Sequence, residues 1–143
     1  MESSRNLQGI DAAWIAIDGI EQVALFTTGG EGPIPDTALF SVSIAEDSAF
    51  SLPGTSGYDL LVAVPRPDDF IAFAKRGLFA YDWSDVHCSA LQASGSYELQ
   101  ARPSRPLTLL DLPASLRAVA SATRLSGVSF GSSVVVPSEL VGT

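Results

Sequence analysis

A turn between two β-prone runs constrains this chain more than any other local feature. Residues 14–17 are apolar and end at Asp18-Gly19, and residues 22–28 form a second run with apolar or small side chains on both faces. An Asp-Gly pair between two such runs is typical of a β-hairpin. Because neither face of the second run is polar, we expect that strand to lie inside a larger sheet.

The middle of the chain alternates between helix and strand patterns. Residues 37–47 form a weak helix, and residues 60–64 are an apolar run that Pro65 ends, as in a buried strand. Residues 68–76 begin with acids and end with Lys75 and Arg76, and Gly77 follows, which is the charge and capping pattern of a helix. Strand patterns follow at residues 78–83 and 97–102, and we expect these two strands to pair.

The last third of the chain contains the strongest helix pattern. The helix begins near Asp111 and Pro113 and ends at Gly127, and its apolar face carries Leu112, Leu116, Val119, Ala120 and Thr123. Residues 134–137 form a short strand or an extended tail. The sequence therefore predicts a flexible N-terminus over residues 1–11 and a single globular domain over residues 12–143. The fold class is α+β, an antiparallel sheet with two or three helices packed on one face.

Charge decides which partners the chain attracts. Sixteen acidic residues oppose eight basic ones, which gives a net charge of −8. A surface this negative repels phosphate backbones and anionic lipids, so we expect no nucleic-acid or membrane partner and favour a basic protein partner. The unpaired Cys88 and the absence of a secretory leader pattern indicate a cytoplasmic protein.

Two motifs suggest catalysis. Residues 127–131 match the G-x-S-x-G pattern around Ser129, but they follow a helix, and the single histidine, His87, precedes the serine. His87 lies directly beside Cys88, where adjacent side chains rarely adopt an attacking geometry. One histidine and one cysteine are too few for a zinc site, and no calcium-loop pattern is present, so we expect neither a metal nor a cofactor. The chain is predicted not to be an enzyme, with a small hydrolase using Ser129 or Cys88 as the alternative.

One strand end combines acids with large aromatic residues. Asp82, Trp83 and Asp85 lie in the sequence Tyr-Asp-Trp-Ser-Asp, and exposed aromatics beside charges are typical of binding hot spots. The opposite interpretation is that the aromatics belong to the core and the acids are simply solvated. We take Asp82, Trp83 and Asp85 as the partner-binding candidates, together with Glu31 in the glycine-rich loop.

Four phrases of the chain resemble a group of small bacterial proteins. They are residues 14–18, 23–28, 32–35 and 77–83, and the similarity spans most of residues 12–137. These proteins are similar in size and acidity to immunity proteins, which neutralise antibacterial toxins. The resemblance implies a non-enzymatic protein that blocks a basic toxin by direct contact. It transfers no functional residue, and a homo-oligomeric structural subunit remains a further alternative.

Overall fold

The predicted hairpin is present in the computed structural model, which describes residues 12–30, 32–54, 56–61, 68–84 and 96–141. Strand β1 (Ala13–Asp18) pairs antiparallel with β2 (Val23–Thr27). On its other side β2 pairs with β4 (Phe79–Ser84), so the second strand of the hairpin does lie inside the sheet.

Seven strands of the described residues form one mixed sheet. The other strands are β3 (Tyr58–Leu60), β5 (Ser96–Pro103), β6 (Arg124–Leu125) and β7 (Val135–Pro137). The order is β3-β5-β4-β2-β1-β6, and β7 pairs with β5. The α+β prediction is confirmed, and β4 and β5 pair as expected. The sheet is mostly antiparallel, but β2–β4 and β1–β6 are parallel, because the chain crosses over through helices before it returns.

Three helices cover one face of the sheet, as predicted. They are α1 (Val42–Phe50), α2 (Asp68–Lys75) and α3 (Ala114–Ser121). Their buried side chains pack on Ile15, Leu25 and Ala80 in one core, and we call this side of the sheet the helix-covered face. A 3-10 helix, Asp36–Ser41, precedes α1, a second one, Leu109–Asp111, precedes α3, and the short α4 (Ser138–Val141) ends the described chain.

The apolar run at residues 60–64 is not a buried strand in its described part. Strand β3 comprises only Tyr58–Leu60, and Leu60 and Leu61 are 40% and 37% exposed. The reason is its position, because among the described strands β3 pairs only with β5 and lies at the edge of the sheet. Residues 62–64 lie outside the described residues.

Two helix boundaries also differ from the prediction. The helix expected over residues 37–47 is a 3-10 helix followed by α1, and the helical segment extends to Phe50. Helix α3 ends at Ser121, well before Gly127, because the chain then turns to place Arg124–Leu125 beside β1. The expected apolar face of this helix is nevertheless correct, since Leu112, Leu116, Val119, Ala120 and Thr123 are all buried.

The other face of the sheet is covered by aromatic side chains, and we call it the aromatic face. Trp14 stacks on Phe26 with ring centroids 4.1 Å apart, and its indole Nε1 donates a 3.1 Å hydrogen bond to the Tyr97 hydroxyl. Phe26 also stacks on Tyr81 at 5.0 Å, and Phe130 packs against both rings. Aromatic pairs in these geometries stabilise a core beyond the effect of their buried area.

A buried carboxylate holds the hairpin turn to the C-terminal half of the chain. Asp18 is 0% exposed, and its Oδ1 accepts hydrogen bonds from the backbone N–H groups of Ile20 and Gln22 at 3.1 and 2.9 Å. Its Oδ2 accepts from the Gln22 side chain and from the Phe130 N–H, each at 2.9 Å. Four donors replace the water that the carboxylate loses on burial, so Asp18 has a structural role.

The buried phenol of Tyr81 should make the free energy of unfolding depend on pH at high pH. Its hydroxyl donates a 2.6 Å hydrogen bond to the Ser133 carbonyl, and burial raises the pKa of this phenol well above its ordinary value of 10.0. In the folded protein the phenol therefore keeps its proton at a pH where the unfolded chain releases it. The contribution of the protonated Tyr81 phenol to the free energy of unfolding is complete below about pH 10. As the pH rises further, the free energy of unfolding falls by up to about 1.4 kcal/mol per pH unit.

Urea unfolding over roughly pH 8 to 11 measures this effect. Tyr81→Phe is expected to make the fall in the free energy of unfolding with rising pH less steep than in the wild type. Equal slopes for the wild type and Tyr81→Phe would contradict the prediction.

Candidate partner-binding surface

One register row of the sheet brings two carboxylates together on the helix-covered face. Thr27 of β2 lies beside Asp82 of β4, Asp82 lies opposite Glu98 of β5, and Glu98 lies opposite Val135 of β7. Side chains directly opposite in an antiparallel pair have Cβ atoms roughly 4.5–5.5 Å apart. Asp82 and Glu98 are therefore neighbours, and we call these four residues the acidic row.

The acidic row is partly accessible to solvent. Asp82 and Glu98 are half-buried, and Val135 at the end of the row is 47% exposed. The Thr27 hydroxyl donates a short hydrogen bond to the Asp82 carboxylate, which fixes the orientation of that side chain. Two like charges directly opposite each other destabilise a sheet, and a cation placed between them would remove the repulsion.

The structure separates two of the predicted site residues. Asp82 lies in the acidic row on the helix-covered face, whereas Trp83, the next residue of the strand, lies on the aromatic face. Successive side chains of a strand point to opposite faces, so these two residues cannot belong to one continuous contact patch. Glu31 and Asp85 lie outside the described residues.

Trp83 packs inward more than an exposed hot spot would. Its ring lies 5.1 Å from the Tyr97 ring in an edge-on arrangement, and the residue is only half-exposed. A Cβ added to Gly32 would come within 3.0 Å of the Trp83 Cβ and within 2.5 Å of the Tyr97 hydroxyl oxygen. The glycine at position 32 thus allows the loop to close over both rings, next to the position of the candidate Glu31.

No family model, curated protein or solved structure matches this chain.

The sequence prediction missed Glu98. The sequence did contain a signal for it. Residues 78–83 and 97–102 were expected to pair, and each of these strands contains an acid, Asp82 in the first and Glu98 in the second, so the two carboxylates could have been expected to lie near each other. The register that puts Glu98 opposite Asp82 depends on a bulge between Ala80 and Tyr81, which shifts the pairing by one residue. The strand patterns alone do not locate that bulge.

The negative charge of the chain is concentrated in its first half. Residues 6–65 contain eight acidic residues and no lysine, arginine or histidine, whereas the rest of the chain holds eight acidic and eight basic residues. The whole net charge of −8 therefore belongs to β1, β2, the first 3-10 helix, α1, β3 and their connections.

The catalytic candidates are not assembled into a site in the described residues. Ser129 is exposed in the turn before β7, and its backbone N–H and carbonyl bond to Ser133, while Ser132 also donates to that carbonyl. His87 and Cys88 lie outside the described residues. Among the described residues, no group of three or more histidine, cysteine or acidic side chains is arranged to hold a metal ion.

One cleft of about 400 Å³ opens beside strand β6. It lies between the start of the first 3-10 helix, residues 122–128 and helix α4. Its polar groups bond within the chain, since the Thr37 and Thr123 hydroxyl oxygens are 2.6 Å apart and Arg124 forms a 3.0 Å ion pair with Glu21. The cleft therefore offers few polar groups for a ligand.

The described part of the chain contains no helix with both the length and the apolar character needed to cross a membrane.

Proposed function

We propose that this chain is a non-enzymatic acidic binding protein that neutralises a basic protein partner, as an immunity protein blocks an antibacterial toxin. The observation that carries the proposal is the opposition of Asp82 and Glu98 in the acidic row. A basic side chain of the partner would form charge-assisted hydrogen bonds with both carboxylates. A cytoplasmic location belongs to the same proposal and is supported by the unpaired Cys88.

The charge distribution supports a protein partner over other classes. A net charge of −8 repels phosphate groups and attracts a basic protein during approach. Electrostatic steering of this kind raises the association rate and falls with added salt.

Capture from a lysate of the source cells tests the function. The immobilised chain is expected to retain a basic protein in stoichiometric amount at low salt and to release it at high salt. That protein should stop growth when it is expressed alone and should be harmless when it is co-expressed with this chain. Retention of no basic protein, or a partner whose toxicity this chain does not suppress, would refute the proposal.

Glu98→Gln tests the role of the acidic row with effects of opposite sign. Removal of one of two opposed charges should raise the free energy of unfolding of the free protein by a few tenths of a kcal/mol, up to about 1 kcal/mol. The same change should weaken partner binding about two- to fivefold and reduce its salt dependence. Urea unfolding and binding titrations measure the two effects.

Asp69→Asn is the matched control, because it removes one exposed negative charge in the first turn of α2 that is not part of the acidic row. It should not stabilise the protein, since a carboxylate there interacts favourably with the helix dipole. A Glu98→Gln protein that binds its partner as tightly as the wild type would show that the acidic row is not the contact.

A further inference from the structure

The helical segment over residues 36–50 exposes apolar side chains on its outer surface. Ala45 and Ala49 of α1 are buried in the core of the helix-covered face, whereas Ala38 of the 3-10 helix is buried in the core of the aromatic face. On the outer surface Phe40 is 67% exposed and Ile44 is 48% exposed. A surface helix normally carries polar residues on the side away from the core. The exposed phenylalanine and isoleucine therefore leave an apolar surface that the described fold does not cover.

An exposed acid follows these two residues. Ile44 and Asp47 lie about one turn apart in α1, and Phe40 lies in the 3-10 helix that leads into α1; we call these three residues the outer stripe. Asp47 lies in the last turn of α1, at the negative end of the helix dipole, where a carboxylate is unfavourable.

The chain only partly compensates this charge at the end of α1. Arg76 lies over the Phe50 ring at 5.3 Å, and its Nε donates a 3.3 Å hydrogen bond to the Phe50 carbonyl. In the described residues the ion pairs are those of Asp59 with Arg102 and of Glu21 with Arg124, and Asp47 takes part in neither. An apolar pair that ends in a carboxylate without a cationic partner is complementary to apolar residues flanked by a basic side chain.

We infer that the outer stripe is a docking surface for a basic amphipathic helix of the partner. The apolar side of that helix would cover Phe40 and Ile44, and a lysine or arginine beside it would pair with Asp47. The location agrees with the charge distribution, because the segment lies within residues 6–65, which carry the whole net charge. The inference rests on the proposed function and adds to it the surface and the secondary structure of the partner segment.

A synthetic amphipathic helix of leucine and lysine is the probe for this surface. We expect it to bind the full chain, with affinity that falls as salt is added. Phe40→Ala with Ile44→Ala should weaken binding about tenfold or more, because both side chains lose their buried area in the complex. Asp47→Asn should weaken it about two- to fivefold and reduce the salt dependence.

Exposed residues elsewhere on the chain provide the matched controls. Ile20→Ala with Leu110→Ala removes the same class of side chain at positions that are 68% and 74% exposed, and Asp69→Asn removes the same charge as Asp47→Asn. These variants should bind the probe within about twofold of the wild type. A peptide with glutamate in place of lysine should not bind. Circular dichroism confirms that each variant remains folded.

The outcomes separate this inference from the proposed function. Equal probe affinity in the wild type and the Phe40→Ala, Ile44→Ala protein would overturn the inference, and so would the absence of probe binding. In either case a basic partner retained from the lysate would leave the proposed function intact. A second copy of this chain could also cover the outer stripe, and sedimentation of the wild type and of the Phe40→Ala, Ile44→Ala protein tests this. Self-association that the two substitutions abolish would show that a second copy binds there and would also overturn the inference.

Discussion

Replacing Asp18 by asparagine is expected to lower the free energy of unfolding by about 2–4 kcal/mol. Each carboxylate oxygen of Asp18 accepts two N–H groups, and an asparagine can present only one accepting oxygen. Its amide nitrogen would face two donors in a site that excludes water, and buried donors that lose an acceptor cost about 1–3 kcal/mol each. Loss of a charge-assisted acceptor at a fully buried position adds to that cost.

Urea unfolding of Asp18→Asn beside Asp59→Asn measures this effect. Asp59 is an exposed acid on β3 that forms a 3.6 Å ion pair with Arg102, and its replacement should change stability by no more than about 0.5 kcal/mol. If the two variants were equally stable, the Asp18 carboxylate would not be holding the hairpin turn to the loop at Phe130.

Trp14→Ala should be the most destabilising single change in the chain, with an expected loss of about 3–5 kcal/mol. Trp14 is 0% exposed, stacks on Phe26 and packs edge-on against Tyr97. Its removal leaves a cavity at the centre of the aromatic face. It also removes the hydrogen bond that the indole donates to the Tyr97 hydroxyl, which itself donates to the Pro33 carbonyl at 2.8 Å.

Two companion variants separate the cavity from the hydrogen bond. Trp14→Phe keeps a ring on Phe26 but removes the indole N–H, so it should lose less stability than Trp14→Ala. Trp83→Ala removes the other tryptophan at a half-buried position and should also cost less than Trp14→Ala. A Trp14→Ala protein that loses less than about 1 kcal/mol would show that its neighbours close the cavity by repacking.

Local patterns predicted most elements because their causes lie close together in sequence. The Asp18-Gly19 turn specified the hairpin, and the charged ends of residues 68–76 with Gly77 specified α2, where Gly77 has the positive φ of 88° that a glycine after a helix commonly adopts. The periodicity of Leu112 to Thr123 identified the buried face of α3 correctly. These signals need only a few neighbouring residues.

Apolar content alone gives a wrong prediction where burial depends on distant partners. Residues 60 and 61 are as apolar as a central strand, but among the described strands β3 pairs with β5 alone and remains exposed at the sheet edge. The sequence did not predict the exposure of Phe40 and Ile44 for the same reason. Helical spacing does not show which side of a weakly amphipathic helix packs on the sheet.

The sequence likewise predicted only part of the candidate site. The sequence predicted acids and aromatics near the end of β4, and the structure confirms that strand. Only the tertiary structure brings Glu98 opposite Asp82 and places Trp83 on the other face, because a bulge and a long-range pairing set the register.

Turn chemistry, periodicity and charge are local or additive properties, so the sequence alone specified the α+β class, the hairpin, the strongest helices and the net charge of −8. The tertiary structure decided the parallel pairings, the sheet edge, the buried role of Asp18 and the opposition of Asp82 and Glu98. Each of these depends on contacts between residues far apart in the chain, where the pairing register, and not composition, decides which side chains meet.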